Sequence, residues 1–137
     1  MSAPVPTAET RPFWDGLKAR ELRVRWCSAC GRLEHPRALL CPRCLNPLDW
    51  RPVSGRGRVT SWTVVRRSFV PGFAPPYVVG AVGLDEQPDL VLDTTFDIGA
   101  DALSTGLPVE VVFHDDRRGF SRYAFTAVDS GRNPLLT

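Results

Sequence analysis

Cysteines are the residues of this chain whose type and spacing most directly indicate chemistry. The four cysteines form two C-x-x-C pairs separated by ten residues: Cys27, Cys30, Cys41 and Cys44. A C-x-x-C turn presents two thiolates on one side of the backbone, and two such turns facing each other supply the four ligands of a tetrahedral metal ion. Gly31 suits the turn after the first pair, which requires positive φ, whereas Leu45 at the matching place is less typical. The pattern therefore predicts one metal site held by all four cysteines.

Three interpretations of this cysteine pattern stay open. A structural zinc site is favoured, because four thiolates leave no open coordination position for a hydrolytic water. A rubredoxin-like iron centre for electron transfer uses the same ligand set, and a dithiol redox pair needs only one C-x-x-C turn. His35 lies between the two pairs, but with four thiolates available we interpret it as a surface residue.

The overall composition is that of a small soluble protein. With 137 residues, of which 43% are hydrophobic and 23% charged, the chain can form one ordinary core, or one small core beside a metal-stapled module. It has no run approaching about 18 apolar residues, and its first residues lack the basic and apolar regions of an export signal. We therefore expect a cytoplasmic protein without a membrane span, in which the cysteines stay reduced.

The segment before the cysteines predicts a disordered arm followed by a short helix. Residues 1–10 are rich in Pro, Ala and Thr without periodicity, which is typical of disorder. Residues 11–20 predict a helix that Thr10 can cap and whose first turn accommodates Pro12. Its apolar residues share one face: Phe13, Trp14 and Leu17. We group the helix and the cysteine module as residues 11–54, closed by the Pro- and Gly-containing linker LDWRPVSGRG.

Beyond the linker the residue pattern changes to that of a small β-barrel. Five runs rich in Val, Thr and aromatic residues predict strands: 58–66, 77–84, 90–96, 109–114 and 121–128. The segment between the third and fourth runs can hold one helical turn. Five strands with a helix at that place form an OB-fold, which we assign to residues 55–128, leaving 129–137 as a C-terminal tail.

A ten-residue loop, RSFVPGFAPP, joins the first two predicted strands. It carries three apolar side chains among three prolines: Phe69, Val70 and Phe73. Prolines lower the entropic cost of holding the loop in place, and phenylalanines on a loop are typical of an anchor for another surface. The alternative is that the rings fold back and close the mouth of the barrel.

Several motifs resemble the zinc-ribbon/OB-fold acyl-CoA-associated family over about residues 11–128. They are FWDGL in the helix, CSACG, HPR and CPRC in the cysteine module, SGRGRVTSWTVVRR at the start of the barrel, and GLPVEVVF. The resemblance implies a mainly β protein with an N-terminal helix, a rubredoxin-like zinc ribbon and a five-stranded OB-fold. One departure is the polar segment LDTTFDIGADALSTGL, whose Asp93 and Asp97 do not suit an edge that lines an acyl chain.

The function that the resemblance implies is accessory and not catalytic. Such proteins bind thiolase-superfamily enzymes, and the catalytic residues lie mainly on the partner. The favoured partner is a retro-aldolase acting on a steroid or related acyl-CoA, with thiolases and acyltransferases as alternatives. Each ribbon chain would hold one structural zinc, and the complex would share a CoA thioester as its ligand.

Two groups of arginines are candidates for holding the phosphates of CoA, since guanidinium groups are good phosphate ligands. One group flanks the Phe/Pro loop and the other surrounds the last hairpin: Arg66 and Arg67; Arg117, Arg118 and Arg122. The alternative is that they are solvated surface residues.

Independent catalysis and nucleic-acid binding are the other function classes. His114 precedes Asp115 and Asp116, but strand neighbours point to opposite faces and a hairpin turn needs polar residues. OB barrels often bind single-stranded nucleic acid through aromatic residues in a basic groove. Residues 57–137, however, carry seven Lys/Arg against ten Asp/Glu, so nucleic-acid binding is not favoured.

Overall fold

The computed structural model describes residues 7–8, 10–66, 76–115, 119 and 121–128. One helix, α1 (Arg11–Lys18), comes first in this part of the chain. Three short strands follow: β1 (Leu22–Cys27), β2 (Arg32–Glu34) and β3 (Asp49–Val53). Five longer strands complete the fold: β4 (Arg56–Val65), β5 (Tyr77–Leu84), β6 (Gln87–Phe96), β7 (Pro108–Asp115) and β8 (Ser121–Ala127). The mainly β class with an N-terminal helix is thereby confirmed.

Helix α1 packs through the predicted apolar face and ends two residues earlier than predicted. Leu17 is fully buried, and Phe13 and Trp14 pack against the same core. Gly16 is needed here because a Cβ would lie 2.8 Å from the carbonyl oxygen of Glu21, which turns back against the helix. Among the described residues, no helix has the length and apolar character to cross a membrane.

The start of α1 differs from the predicted cap. The Thr10 side chain makes no capping bond to the helix, because its Oγ1 accepts a hydrogen bond from the Thr7 backbone N–H at 2.8 Å. Arg11 N–H also donates to the Thr7 carbonyl at 2.8 Å, so the described end of the predicted disordered arm is a hydrogen-bonded turn. The rest of that arm, residues 1–6 and 9, lies outside the described residues, as does the predicted tail 129–137.

The cysteine module is a three-stranded antiparallel sheet in the order β2-β1-β3. The predicted linker was wrong over residues 49–53, which form β3 and pair along most of β1. Pro52 is compatible with this strand because β3 is at the edge of the sheet, where one side of the backbone needs no partner. Two arginines stack on tryptophan rings across the β1–β3 pair. The Arg25 guanidinium lies 4.4 Å from the Trp50 ring centroid, and the Arg51 guanidinium lies 3.7 Å from the Trp26 ring centroid.

The five longer strands close into a barrel in the order β4-β5-β6-β8-β7. β6 and β8 form the parallel pair, with Phe96 beside Phe125, and β4 pairs with β7 to complete the ring. A short 3₁₀-helix, Ala100–Ala102, occupies the connection between β6 and β7, where one helical turn was predicted. This strand order and helix position are those of an OB-fold.

One hydrophobic core joins the sheet and the barrel. Leu22 and Val24 of β1 and Leu33 of β2 belong to the same buried cluster as Val59, Leu92 and Phe125 of the barrel. Ser54 and Gly55 connect the two β units, near the predicted boundary. The apolar side chains of the two units nevertheless do not form separate cores. Burial of apolar surface therefore stabilises both units together.

Aromatic rings extend this core to α1. Phe13 lies edge-to-face with Tyr123 at a centroid distance of 6.0 Å, and Tyr123 lies edge-to-face with Phe125 at 6.2 Å. Burial raises the pKa of Tyr123 to about 12, so its hydroxyl stays protonated at neutral pH and donates to the Asp93 carbonyl at 2.7 Å. The helix is thereby fixed over one end of the barrel strands.

Polar side chains also connect the sheet to the β5–β6 hairpin. The Gln87 amide donates to the Leu33 carbonyl at 2.9 Å and accepts from the Leu33 N–H at 3.0 Å, as a strand partner would. Arg32 forms an ion pair with Asp89 at 2.6 Å. Strand β2, which follows the first cysteine pair, is therefore held on the barrel by two hydrogen bonds and one ion pair.

A second connection joins the end of α1 to the end of β7. Arg20, at φ 61°, donates from Nη1 and Nη2 to the two carboxylate oxygens of Asp115, at 3.0 and 2.8 Å. Ser121 donates to the same carboxylate at 2.7 Å. The hydrogen bond from Arg20, followed by that from Ser121, lowers the pKa of Asp115 below its ordinary value.

This ion pair predicts a specific dependence on pH. Because the folded-state pKa of Asp115 is lowered, the pair stabilises the fold above the unfolded-state pKa, about 3.9, and this contribution is lost as pH falls through the folded-state value. Arg20→Ala should therefore lower the urea midpoint slightly at pH 7 and leave it close to wild type at the lowest pH at which the fold persists. The exposed Lys18→Ala is the control, and an equal loss at both pH values would contradict the role of the pair.

Candidate functional site

The four cysteine sulfurs lie together at the end of the three-stranded sheet. All four Sγ atoms are within 4.8 Å of one another. The distance is 3.5 Å between Cys27 and Cys44 and 3.8 Å between Cys30 and Cys41. Four sulfurs at about 2.3 Å from a tetrahedral zinc would be about 3.8 Å apart. The spacing of the sulfurs therefore fits one tetrahedral metal ion.

Two similar backbone turns, which we call knuckles, present these sulfurs. In the first knuckle, residues 27–31, Gly31 N–H donates to the Cys27 carbonyl at 2.8 Å. In the second, residues 41–45, Leu45 N–H donates to the Cys41 carbonyl at the same distance. Gly31 and Leu45 have φ of 67° and 64°, so the two turns have matching backbone conformations. The positive φ predicted after the first pair is found after both.

The surroundings of the sulfurs affect their ionisation in opposite directions. Backbone N–H groups of Cys44 and Arg43 lower the pKa of Cys41 to about 7. Hydrogen bonding to the Cys44 sulfur, and then to that of Cys27, raises the pKa of Cys30 to about 12. Four thiols this close oppose one another's ionisation, and a bound divalent cation supplies the positive charge that allows all four to act as thiolates.

The cysteine cluster has only a small apolar core of its own. Cys27, Cys41 and Leu48 are buried together, with Ala38 and Cys44 packed against them. Such a core is too small to hold the fourteen residues between β2 and β3, 35–48, without a cross-link. Metal binding would therefore supply the missing stabilisation. His35 is outside this cluster: its ring is half-buried, its Nδ1 accepts from the Arg37 N–H at 3.1 Å, and burial lowers its pKa.

Most of the predicted substrate- and partner-binding residues lie outside the described residues: Arg67, Phe69, Val70, Phe73, Arg117 and Arg118. Arg66 is exposed, directly after the end of β4. Arg122, in β8, donates to Thr95 Oγ1 at 3.3 Å. β7 separates β4 from β8 in the barrel, so strand pairing does not bring Arg66 and Arg122 together.

Residues near His114 are arranged differently from the sequence prediction. His114 contacts the Asp97 carboxylate at 2.5 Å, and not the neighbouring Asp115, which lies in β7 and binds Arg20. Asp97, which the sequence singled out only as a polar departure on the barrel edge, is therefore the partner of this histidine. The barrel order creates the pair, since β8 lies between β6 and β7 and brings the end of β6 near β7. No local sequence signal connects these positions.

The fold and site together define a class of protein: a four-cysteine, metal-ribbon sheet followed by an OB-fold barrel. The protein-family model described as "ChsH2, C-terminal OB-fold domain" matches residues 50–114. A DUF35 domain-containing scaffold protein of Pyrococcus furiosus is 34% identical over 103 residues, which cover 73% of this chain and 74% of that protein. The chain belongs to this ChsH2/DUF35 family, as the sequence motifs predicted.

A mycobacterial relative and two solved structures extend the comparison. The alpha subunit of 3-oxo-4,17-pregnadiene-20-carboxyl-CoA hydratase of Mycobacterium tuberculosis is 34% identical over 118 residues, covering 84% of this chain but 37% of that subunit. A chain of the Ltp2-ChsH2(DUF35) aldolase superposes with a TM-score of 0.80 and 28% identity, over 91% of this chain and 98% of that chain. A DUF35 protein of unknown function from Sulfolobus solfataricus shares the fold, with a TM-score of 0.63 and 15% identity over 88% of this chain and 86% of that one.

Proposed function

We propose that this protein is a non-catalytic subunit that binds a thiolase-superfamily enzyme and helps it hold a CoA-thioester substrate. The favoured partner reaction is retro-aldol cleavage of a steroid or related acyl-CoA. The observation that carries the proposal is the superposition with nearly the whole of a chain from the Ltp2-ChsH2(DUF35) aldolase. The name of the mycobacterial relative, a subunit of a hydratase for a steroid-derived acyl-CoA, supports the same class of substrate.

The four-cysteine site is proposed to hold zinc in a structural role. Zinc has no geometric preference of its own and accepts four thiolates in a tetrahedron, which the Sγ spacing fits. Such an ion is coordinatively complete, so it would stabilise the ribbon and not activate water. A colourless protein with one zinc per chain is expected, whereas a red protein that is reversibly reduced would identify an iron centre.

For the CoA ester, the proposed ligands are Arg66 and Arg67 after β4, with Arg117, Arg118 and Arg122 as the second group. Arg66 is exposed, which suits a residue that binds a phosphate from solution. A guanidinium–phosphate contact is a charge-assisted hydrogen bond of roughly 1.5–3 kcal/mol, which corresponds to about tenfold or more in affinity.

Co-expression with a thiolase-superfamily enzyme from the same organism tests the proposed function. We expect the two chains to co-elute in size-exclusion chromatography and the partner to lose substrate affinity or activity without this chain. Calorimetry with a CoA ester should show binding by the complex that falls about tenfold in Arg66→Ala/Arg67→Ala. Arg56→Ala, an exposed arginine at the other end of β4, is the matched control.

Three outcomes would count against this function. Separate elution, with partner activity unchanged by this chain, would reject the accessory role. If Arg66→Ala/Arg67→Ala and the control Arg56→Ala bind the CoA ester with equal affinity, Arg66 and Arg67 are rejected as phosphate ligands, but the accessory role is not. Salt-sensitive binding of a single-stranded oligonucleotide at micromolar protein would favour the nucleic-acid alternative.

A further inference from the structure

Leu45 has a backbone conformation that its side chain disfavours. The two knuckles match in φ and in their hydrogen bond back to the first cysteine, yet one has glycine and the other leucine at the position of positive φ. A Cβ in the left-handed region clashes with the backbone, so leucine costs free energy that glycine does not. The knuckle itself does not require leucine, as Gly31 shows.

Among the described residues, no buried packing of the Leu45 side chain offsets this strain. The other described non-glycine residue with positive φ, Arg20, has its guanidinium held by both oxygens of Asp115. The Leu45 side chain, by contrast, is 69% exposed and belongs to neither buried cluster. A strained residue without an internal role is a reason to look for an external one.

Two further leucines, directly before the second knuckle in the sequence, are also exposed. Leu39 is 65% exposed and Leu40 is 50% exposed. Leu40 bridges to Pro47, and Cys41 N–H donates to the Asn46 carbonyl at 3.0 Å, so the backbone on both sides of the second cysteine pair is fixed. Besides these three leucines, only Val91 and Val128 are large, exposed hydrophobic residues in the described chain. Three of the five large exposed hydrophobic residues in the described part of the chain therefore lie within residues 39–45.

The Lys, Arg, Asp and Glu residues of the segment that carries these leucines are all basic. Arg37 and Arg43 are both exposed, and residues 35–48 contain no aspartate or glutamate. Among the described residues, neither arginine forms an ion pair. We call Leu39, Leu40 and Leu45, with these two arginines, the knuckle patch. A surface complementary to it is apolar at its centre and carries carboxylates at its rim.

We propose that the knuckle patch docks into an apolar recess of the enzyme partner that is flanked by carboxylate side chains. This inference rests on the proposed function and names the surface that performs it. A second copy of this chain is a poorer occupant, because a two-fold contact through the same patch would bring the arginines of both copies together. Leucines with a fixed backbone lose little freedom on binding, so their burial contributes to affinity nearly undiminished.

Leu45→Gly tests the proposal because its two expected effects have opposite signs. Glycine relieves the strain at φ 64°, so the melting temperature of the free, metal-loaded chain should be equal to or above that of wild type. The same substitution removes the most exposed leucine of the patch, so partner affinity by calorimetry should fall about tenfold or more. Leu39→Ser, with an unstrained backbone, should weaken binding similarly at unchanged metal content.

Val91→Ser is the matched control, since Val91 is 38% exposed on β6; it should leave partner affinity unchanged. If wild type binds the partner and both leucine variants bind equally well, the knuckle patch is not the docking surface, although the accessory function stands. If wild type does not bind the partner, both the function and this surface are rejected. Self-association of wild type that Leu39→Ser abolishes, seen by light scattering, would assign the patch to a second copy and overturn the proposal.

Discussion

Replacing Cys41 with serine should remove the metal and unfold the ribbon sheet. Cys41 is fully buried beside Cys27 and Leu48, and its sulfur lies 3.8 Å from that of Cys30. Apparent binding free energies of structural zinc are about 10–16 kcal/mol, and in a module with so small a core this becomes folding free energy. Losing one of four thiolates should therefore lower zinc affinity by orders of magnitude.

The expected loss is not confined to the ribbon. Leu22, Val24 and Leu33 of the ribbon sheet are buried in the same cluster as the barrel residues, so melting the sheet exposes barrel core to water. We expect Cys41→Ser to lower the free energy of unfolding of the whole chain by at least about 3 kcal/mol, in a single transition. If the ribbon and the barrel instead folded as two independent units, only the ribbon would be lost.

The expected loss is tested by measuring metal content and urea unfolding. Unfolding is followed by both tryptophan fluorescence and circular dichroism. Ser28→Ala changes an exposed residue between the first two cysteines and should retain one metal per chain and the wild-type midpoint. Full metal content in Cys41→Ser, or an unchanged midpoint after chelation of the wild type, would contradict the role assigned to the site.

Phe125→Ala should be the most destabilising core substitution of the barrel. Phe125 is fully buried and has the largest such side chain, on β8 at its parallel pairing with β6. Its ring also contacts Tyr123, which continues to Phe13 of α1. Removing a buried phenylalanine ring costs about 3–5 kcal/mol through lost burial and the cavity left behind.

Urea unfolding at neutral pH measures the loss, with Thr126→Ala as the control on the adjacent, half-buried position. The control should change the free energy of unfolding by less than about 1 kcal/mol. Because α1 reaches this ring through Tyr123, the near-ultraviolet circular dichroism of the aromatic residues should also weaken in Phe125→Ala. A loss below about 1 kcal/mol would mean that the barrel closes without this ring.

Local residue pattern was sufficient for most of the secondary structure. The five barrel strands were predicted within three residues of their ends, because alternating β-type residues bounded by turn residues depend only on neighbours along the chain. The 3₁₀ turn before β7 was likewise expected where glycine and proline end the preceding segment. The four cysteines also come together as their spacing predicted, because each C-x-x-C turn is a local structure.

Errors arose where a distant partner decided the conformation. Residues 49–53 contain Pro52 and few apolar residues, and they form β3 only because the exposed edge of β1 is available to pair with them. Thr10 is a local exception: it was predicted to cap α1, but its hydroxyl accepts a hydrogen bond from Thr7, three residues away in the turn before the helix. Asp115 was interpreted as a turn residue, although Arg20, far away in the sequence, holds it at the end of β7.

By itself, therefore, the sequence determined the mainly β class, the metal ligands' spacing, the order of ribbon and barrel, and the family motifs, because each depends on residues close together along the chain. Only the tertiary structure decided that ribbon and barrel share one core, that His114 lies against Asp97, and that Leu39, Leu40 and Leu45 are exposed near the second cysteine pair. These features depend on which strand lies beside which and on which side chains remain in water. Burial and pairing between distant segments settle both, and no local pattern encodes them.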